Sequence, residues 1–239
     1  MTNRPLHLTP YFGLVADRFA DIVAGEHAPD KSRRVLMIID LLFTLATILG
    51  SVMIHELAHG FVADRLGDPT PRLAGRLTFN PLAHLDLIGS ILVPALLLIS
   101  GSGFLFGWAK PVPINPDNLP DRQFDEVKVA IAGPLSNLLL AIIAALIVRF
   151  IEPGGVINTW LIMAMQLNLV LAIFNLVPIP PLDGSRLLAV VLPEAVYNGL
   201  QRINTVAAFL VLFLLIQSVT FSDWLGRTVG LVSQLLLGR

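Results

Sequence analysis

Five stretches of the chain are almost unbroken in apolar residues, near residues 35–58, 86–106, 128–150, 157–177 and 204–221, with a shorter apolar piece at Leu187 to Leu192. Crossing the roughly 30 Å hydrocarbon core of a bilayer takes about 20 apolar residues in a helix, so each long stretch is a candidate span. The predicted fold is therefore an all-α membrane protein, a polytopic bundle of about five to six transmembrane helices. The first apolar run, VLMIIDLLFTLATILGSVMI, continues without a breaker into HELAHGFVADRLG, so one helix is predicted to carry both until Gly67, Asp68 and Pro69 stop it. Between Pro69 and Leu85 the text PTPRLAGRLTFNPLAHL mixes polar and apolar residues around Gly75, which predicts a short strand or loop insertion after that helix. The Gly- and Pro-rich stretch GSGFLFGWAKPVPINPDNLP reads as a re-entrant loop. After the fourth apolar run, Pro178, Pro180 and Pro181 must end the helix, since each removes a backbone donor and its ring clashes with the preceding turn.

These elements divide the chain into an N-terminal arm over residues 1–34, a membrane-embedded domain over 35–221 and a C-terminal tail or surface helix over 222–239. Within the arm, Tyr11 to Val23 has the spacing of an amphipathic helix that would lie on a membrane surface. A cleaved signal peptide fits poorly, because the first apolar run lies so far along the chain. Composition agrees with the pattern: 55% of residues are hydrophobic and only 14% charged, against roughly a quarter charged in soluble domains. Mean hydropathy is +0.76. The expected location is a membrane, as an integral, multi-pass protein. A net charge of −1, with basic residues scattered, argues against a nucleic-acid partner. The cluster Lys31, Arg33, Arg34 points to a cytoplasmic N-terminus.

With no cysteine in the chain, any metal must be held by histidine and carboxylate. In the helix carrying His55-Glu56-Leu57-Ala58-His59, the histidines at i and i+4 share one face and can share one ion. Glu56 is turned about 100° from His55, so it can reach a water at the metal without being a ligand. Ionisable groups in a membrane helix cost on the order of 2.5 to 3.5 kcal/mol each, which makes them functional candidates. Catalytic zinc usually takes three protein ligands and leaves one position open. Asp183 in PPLDG, where a membrane helix breaks beside Gly184, is the strongest third candidate, though on its own, without the first motif, it reads first as a turn aspartate. Asn137 reads first as interhelical packing beside Gly133 and Pro134, and Asn80 with Pro81 as a turn. His84 and Asp86 are left outside the metal site, and the roles of Asn80, His84 and Asn137 stay open.

Through HELAHG at residues 55–60 and NLVPIPPLDG at residues 175–184, the sequence resembles the site-2 protease family of intramembrane metallopeptidases. GRLTFNPLAHLDLIGSI, FGWAKPVPINP and AGPLSN are similar to its compact bacterial and archaeal branch, so the likeness spans about residues 35–192. The resemblance implies one Zn2+ per chain on His55, His59 and Asp183, with Glu56 as the catalytic base. It implies that Asn175 polarises or positions the scissile carbonyl, and that the substrate is a transmembrane protein or peptide met in the lipid bilayer. No soluble stretch is long enough for an added regulatory module, so control would come from the membrane core, a homo-oligomer or a regulatory membrane partner. The rival reading is a membrane metal-ion transporter or a metal-binding protein without peptidase activity. It accounts for the ligands but not for Glu56.

Overall fold

The computed structural model describes residues 31–100 and 107–238. The amphipathic helix expected at residues 11–23 lies outside them. The described residues are helical, with no strand among them. The first helix, α1 (Lys31–Leu66), carries both the apolar run and the H-E-x-x-H motif in one piece. It ends at Gly67, whose φ of +113° suits only glycine, and at the Asp68-Pro69 step beyond it.

The insertion after α1 is a loop rather than a strand pair. Thr70–Leu73 forms a single helical turn, and Pro81–His84 a short 3-10 turn opened by the Asn80 side chain, which accepts from Leu82 N. Asp86 caps the next element in the same way, accepting from the N–H groups of Ile88 and Gly89. A π-helical turn, Leu87–Leu92, then runs into α2 (Val93–Ile99). This apolar helix is shorter than a span, and the rest of the stretch predicted over 86–106 includes residues outside the described set.

The remaining chain builds the core. Helix α3 (Arg122–Ile151) starts on the Asp121 cap and turns back through Glu152, in left-handed conformation at φ 46°, into α4 (Gly155–Asn175). Leu176 closes α4 before the prolines, as their chemistry requires. A 3-10 helix (Asp183–Val190), α5 (Glu194–Gln201), α6 (Thr205–Gln217) and α7 (Val219–Leu237) follow. The predicted span over 204–221 is broken at Ser218, whose hydroxyl caps α7, and α6 and α7 are bent by 73°.

Three described helices, Ile38–Leu66, Arg122–Ile151 and Gly155–Asn175, are long and apolar enough to cross a membrane, or four if the bent pair counts as one span. The expected five to six is not confirmed among the described residues: the helical part of the stretch over 86–106 is too short to cross, and the stretch over 204–221 counts only with the bend at Ser218 included. The buried core joins Ala141, Ala144 and Ala145 of α3 to Met165, Leu169 and Val170 of α4 and Leu225 and Val229 of α7. Three alanines on one face let α3 and α4 backbones approach closely, the usual way membrane helices gain van der Waals contact. Helix α1 packs mainly on α3 and also touches α4. Its Asp40 accepts from Trp160 Nε1 of α4 at 2.8 Å, which accounts for an acid inside the first apolar run. Leu42, Leu45, Leu139, Ile143 and Leu146 face outward, an apolar exterior suited to lipid.

Candidate metal centre

His55 and His59 stack on the face of α1 that meets α3, and both are buried. Asp183 reaches them from the first residue of its 3-10 helix. Its Oδ2 lies 3.0 Å from His55 Nε2 and 3.3 Å from His59 Nε2, and the two Nε2 atoms are 3.1 Å apart. Among the described residues this is the group of His and acid side chains whose donor atoms converge tightly enough to share an ion. The three residues that the motifs paired across the sequence are therefore brought together by the fold.

The hydrogen bonds on the far side of each ring decide what these atoms can do. Asn137, fully buried, donates through Nδ2 to Asn168 Oδ1 at 2.9 Å and to Ser51 O at 3.3 Å, so its Oδ1 is the acceptor left for His55. His55 Nδ1 meets that oxygen at 2.6 Å and so carries the proton. His59 Nδ1 donates to Val129 O at 2.7 Å. With Nδ1 of each ring turned outward as a donor, the Nε2 atoms are left facing each other and a carboxylate, where an unprotonated Nε2 presents its lone pair. Three acceptors about 3 Å apart repel unless a cation sits among them. Tetrahedral zinc with ligands at about 2.0 to 2.2 Å separates its donors by roughly 3.3 to 3.6 Å, close to the spacing here. Two imidazoles and a carboxylate suit zinc, and the residues present fit it.

A second observation supports the fit. A Cβ placed on Gly133 of α3 would lie 2.4 Å from His59 Nε2 and 2.6 Å from His55 Nε2. Only glycine lets α3 pass this close to the two Nε2 atoms. Pro134, next in α3, cannot donate to Ala130 O, and the loosened turn contains the carbonyl that His59 uses.

Asp183 is placed by a close backbone contact: a Cβ on Gly184 would stand 2.2 Å from Leu176 O, so only glycine lets the chain fold back against the end of α4. Its 3-10 helix is also tied to α3, where Gln123 donates to Ala189 O and Arg186 Nη1 lies 3.6 Å from the buried Glu126. Tyr197 of α5 donates to the same Glu126 at 2.7 Å. Burial, together with that bond, pushes the Tyr197 phenol well above its ordinary range.

Glu56 is half-buried one residue from His55, and its Oε2 accepts from Val112 N at 2.8 Å. It is not among the converging ligand atoms, as helix geometry predicts. Asn175 donates through Nδ2 to Leu171 O at 2.9 Å, within its own helix, and is half-buried. His84 stays outside the cluster, bonded through Nε2 to Thr78 O at 2.9 Å. The strand expected between Pro69 and Leu85 is absent: residues 74–79 are turns and bends.

Sequence reasoning missed Asn137 and Asn168 as the support of His55. The signal was present: Asn137 follows Gly133 by one helical turn, and Asn168 is a second amide within an apolar helix, where unpaired amides are costly. Outer partners of ligating histidines change metal affinity by about 10- to 100-fold. Asn137→Leu should therefore weaken zinc binding by that factor in competition with a chelator, with the helical content unchanged.

Apolar helices around a cation site of two histidines and an acid, with a glutamate beside the first histidine, define a membrane metallopeptidase. The comparisons agree. A model described as "Peptidase family M50" matches residues 149–218, the segment holding Asn175 and Asp183. The chain is 38% identical over 182 residues to YwhC of Bacillus subtilis, covering 72% of this chain and 80% of that protein. It is 31% identical over 151 residues to MJ0611 of Methanocaldococcus jannaschii, covering 63% and 71%. It is 32% identical over 161 residues to Rip2 of Mycolicibacterium smegmatis, covering 66% and 60%. All three are named as candidate zinc metalloproteases. No solved structure matches the chain. The chain belongs to peptidase family M50, the site-2 protease family of zinc metallopeptidases.

Proposed function

We propose that the chain is a multi-pass protease of a prokaryotic cell membrane that hydrolyses peptide bonds within or near the transmembrane segments of other membrane proteins. The observation that carries this reading is the meeting of His55, His59 and Asp183, through Nε2, Nε2 and Oδ2, with both histidines on a helix long and apolar enough to cross a membrane. These residues would hold one zinc ion. When bound, it supplies a Lewis acid and lowers the pKa of a coordinated water to about 7.

The chain's own residues do the rest. Glu56 has Oε2 occupied by Val112 N–H, which leaves Oε1 to take the proton of the attacking water and pass it to the leaving amine. Asn175 is assigned to the substrate. Its amide would exchange the bond to Leu171 O for one to the scissile carbonyl, where such a donor is worth about 10²-fold or more. A helical substrate hides its carbonyls in its own hydrogen bonds and must unwind before it can be cut.

The transporter reading lacks a comparable observation, since it gives Glu56 no task. The test is cleavage of a single-span peptide reconstituted in vesicles with the purified protein. Cutting should stop on chelation and return with stoichiometric zinc. Zinc uptake into the vesicles without cutting would contradict the proposal.

A further inference from the structure

Lys110 to Asn118 runs along α1 as a strap, and nothing in the metal centre accounts for how firmly it is held. Its middle is Pro111-Val112-Pro113. Each proline lacks an N–H and biases the residue before it toward extended backbone, so the triplet presents a single donor, Val112 N. That donor is the one on Glu56 Oε2. The buried Val112 side chain packs on α1 one turn further along, where a Cβ on Gly60 would meet Val112 Cγ1 at 3.1 Å.

Both ends of the strap are clamped by buried charge. At one end, the Arg76 guanidinium donates to Lys110 O, to Pro111 O at 3.1 Å and to Ala83 O. Lys110 N in turn donates to His84 O at 2.9 Å. At the other end Asp68, fully buried, accepts from Asn115 N at 2.7 Å and Asn118 Nδ2 at 2.8 Å. Burial raises the Asp68 carboxyl, but the donors from Thr70, Asn118 and Asn115 outweigh it and hold the group below its ordinary range. A carboxylate and a guanidinium are costly to bury and are used here to fix backbone, not each other. The backbone they fix is the piece that holds Glu56.

We infer that Arg76 and Asp68 are positioning residues for the peptidase reaction, setting the orientation of Glu56 through the single N–H of the Pro111-Val112-Pro113 strap. The inference rests on the reading of Glu56 as the base. A displacement of about 1 Å at a reacting group costs up to about 10²-fold in rate, so loosening the strap should act on turnover and not on metal or substrate affinity.

The test uses two variants of the full chain in lipid. Val112→Pro deletes the donor; Arg76→Lys leaves the donor but replaces a fork that spans three carbonyls with a point charge. Both should keep one zinc per chain and the wild-type KM while kcat falls between about 10- and 100-fold. With 15N-valine labelling, the resonance missing in Val112→Pro identifies the Val112 amide. Its proton should move upfield in Glu56→Gln and in Arg76→Lys, as a bond to a carboxylate weakens. An amide resonance unmoved by Glu56→Gln, unchanged kcat in a zinc-loaded Val112→Pro, or zinc lost in step with activity would overturn the inference. Should Val112→Pro not fold, assignment through Val112→Ile and the comparison of wild type with Glu56→Gln still decide it. Full turnover in Glu56→Gln would remove the base reading, while the amide shift separately reports whether the strap holds that side chain.

Discussion

Gly133→Ala is expected to abolish zinc binding, and with it peptide cleavage, while leaving the helical bundle intact. Alanine is the best helix former and is favoured over glycine by about 1 kcal/mol in a helix interior, so α3 itself gains from the change. The added Cβ, however, would lie 2.4 Å from His59 Nε2 and 2.6 Å from His55 Nε2, nearer than carbon and nitrogen can approach. Neither ring can retreat without breaking the bond of His55 to Asn137 or that of His59 to Val129, both of which fix the tautomer. The methyl therefore takes the space the ion needs. Metal analysis of the purified variant should give close to no zinc, against one per chain for the wild type, with helical content retained and the melting temperature lowered by the displaced rings. Retained zinc would mean that the ion lies away from α3.

Much of this centre was legible before any coordinates. The spacing of His55 and His59 places both rings on one side of α1 whatever the tertiary structure, since i and i+4 neighbours always meet on a helix. The stop at Gly67-Asp68-Pro69 and the end of α4 before Pro178 follow from backbone chemistry alone. Asp183 was legible only by pairing two distant motifs, because a lone Asp-Gly reads as a turn; here the close packing of Gly184 on Leu176 O carries the acid to the histidines.

What could not be read were features set by contacts between segments. Asn137 looked like packing because its partners, Ser51, His55 and Asn168, lie on two other helices. The strap looked like a Gly- and Pro-rich loop, and only its bonds to Glu56, Arg76 and Asp68 give it a task. The alternation around Leu73 to Phe79 suggested a strand, but a strand needs a partner and none lies beside it among the described residues. The count of five to six spans is not confirmed among the described residues, where hydropathy averages across a break such as Ser218, whose hydroxyl caps a new helix in the middle of an apolar run.

Among variants that keep their zinc, Glu56→Gln carries the largest expected effect on turnover. The amide is the same size and can still accept from Val112 N–H through its oxygen, so the strap, α1 and the two histidines have no reason to move. It cannot take a proton from water at neutral pH. General acid–base catalysis contributes on the order of 10²- to 10⁴-fold, and Glu56 is assigned both halves of the transfer, so the loss should fall at the upper end of that range. A residue that merely packed or bound metal would change zinc content or KM first. The measurement is single-turnover cleavage of a reconstituted single-span peptide by wild-type and Glu56→Gln protein, with zinc per chain determined on the same samples. Equal zinc, with cleavage slowed by about 10³-fold or more in the variant, is the predicted result; cleavage at the wild-type rate by zinc-loaded Glu56→Gln would contradict the account.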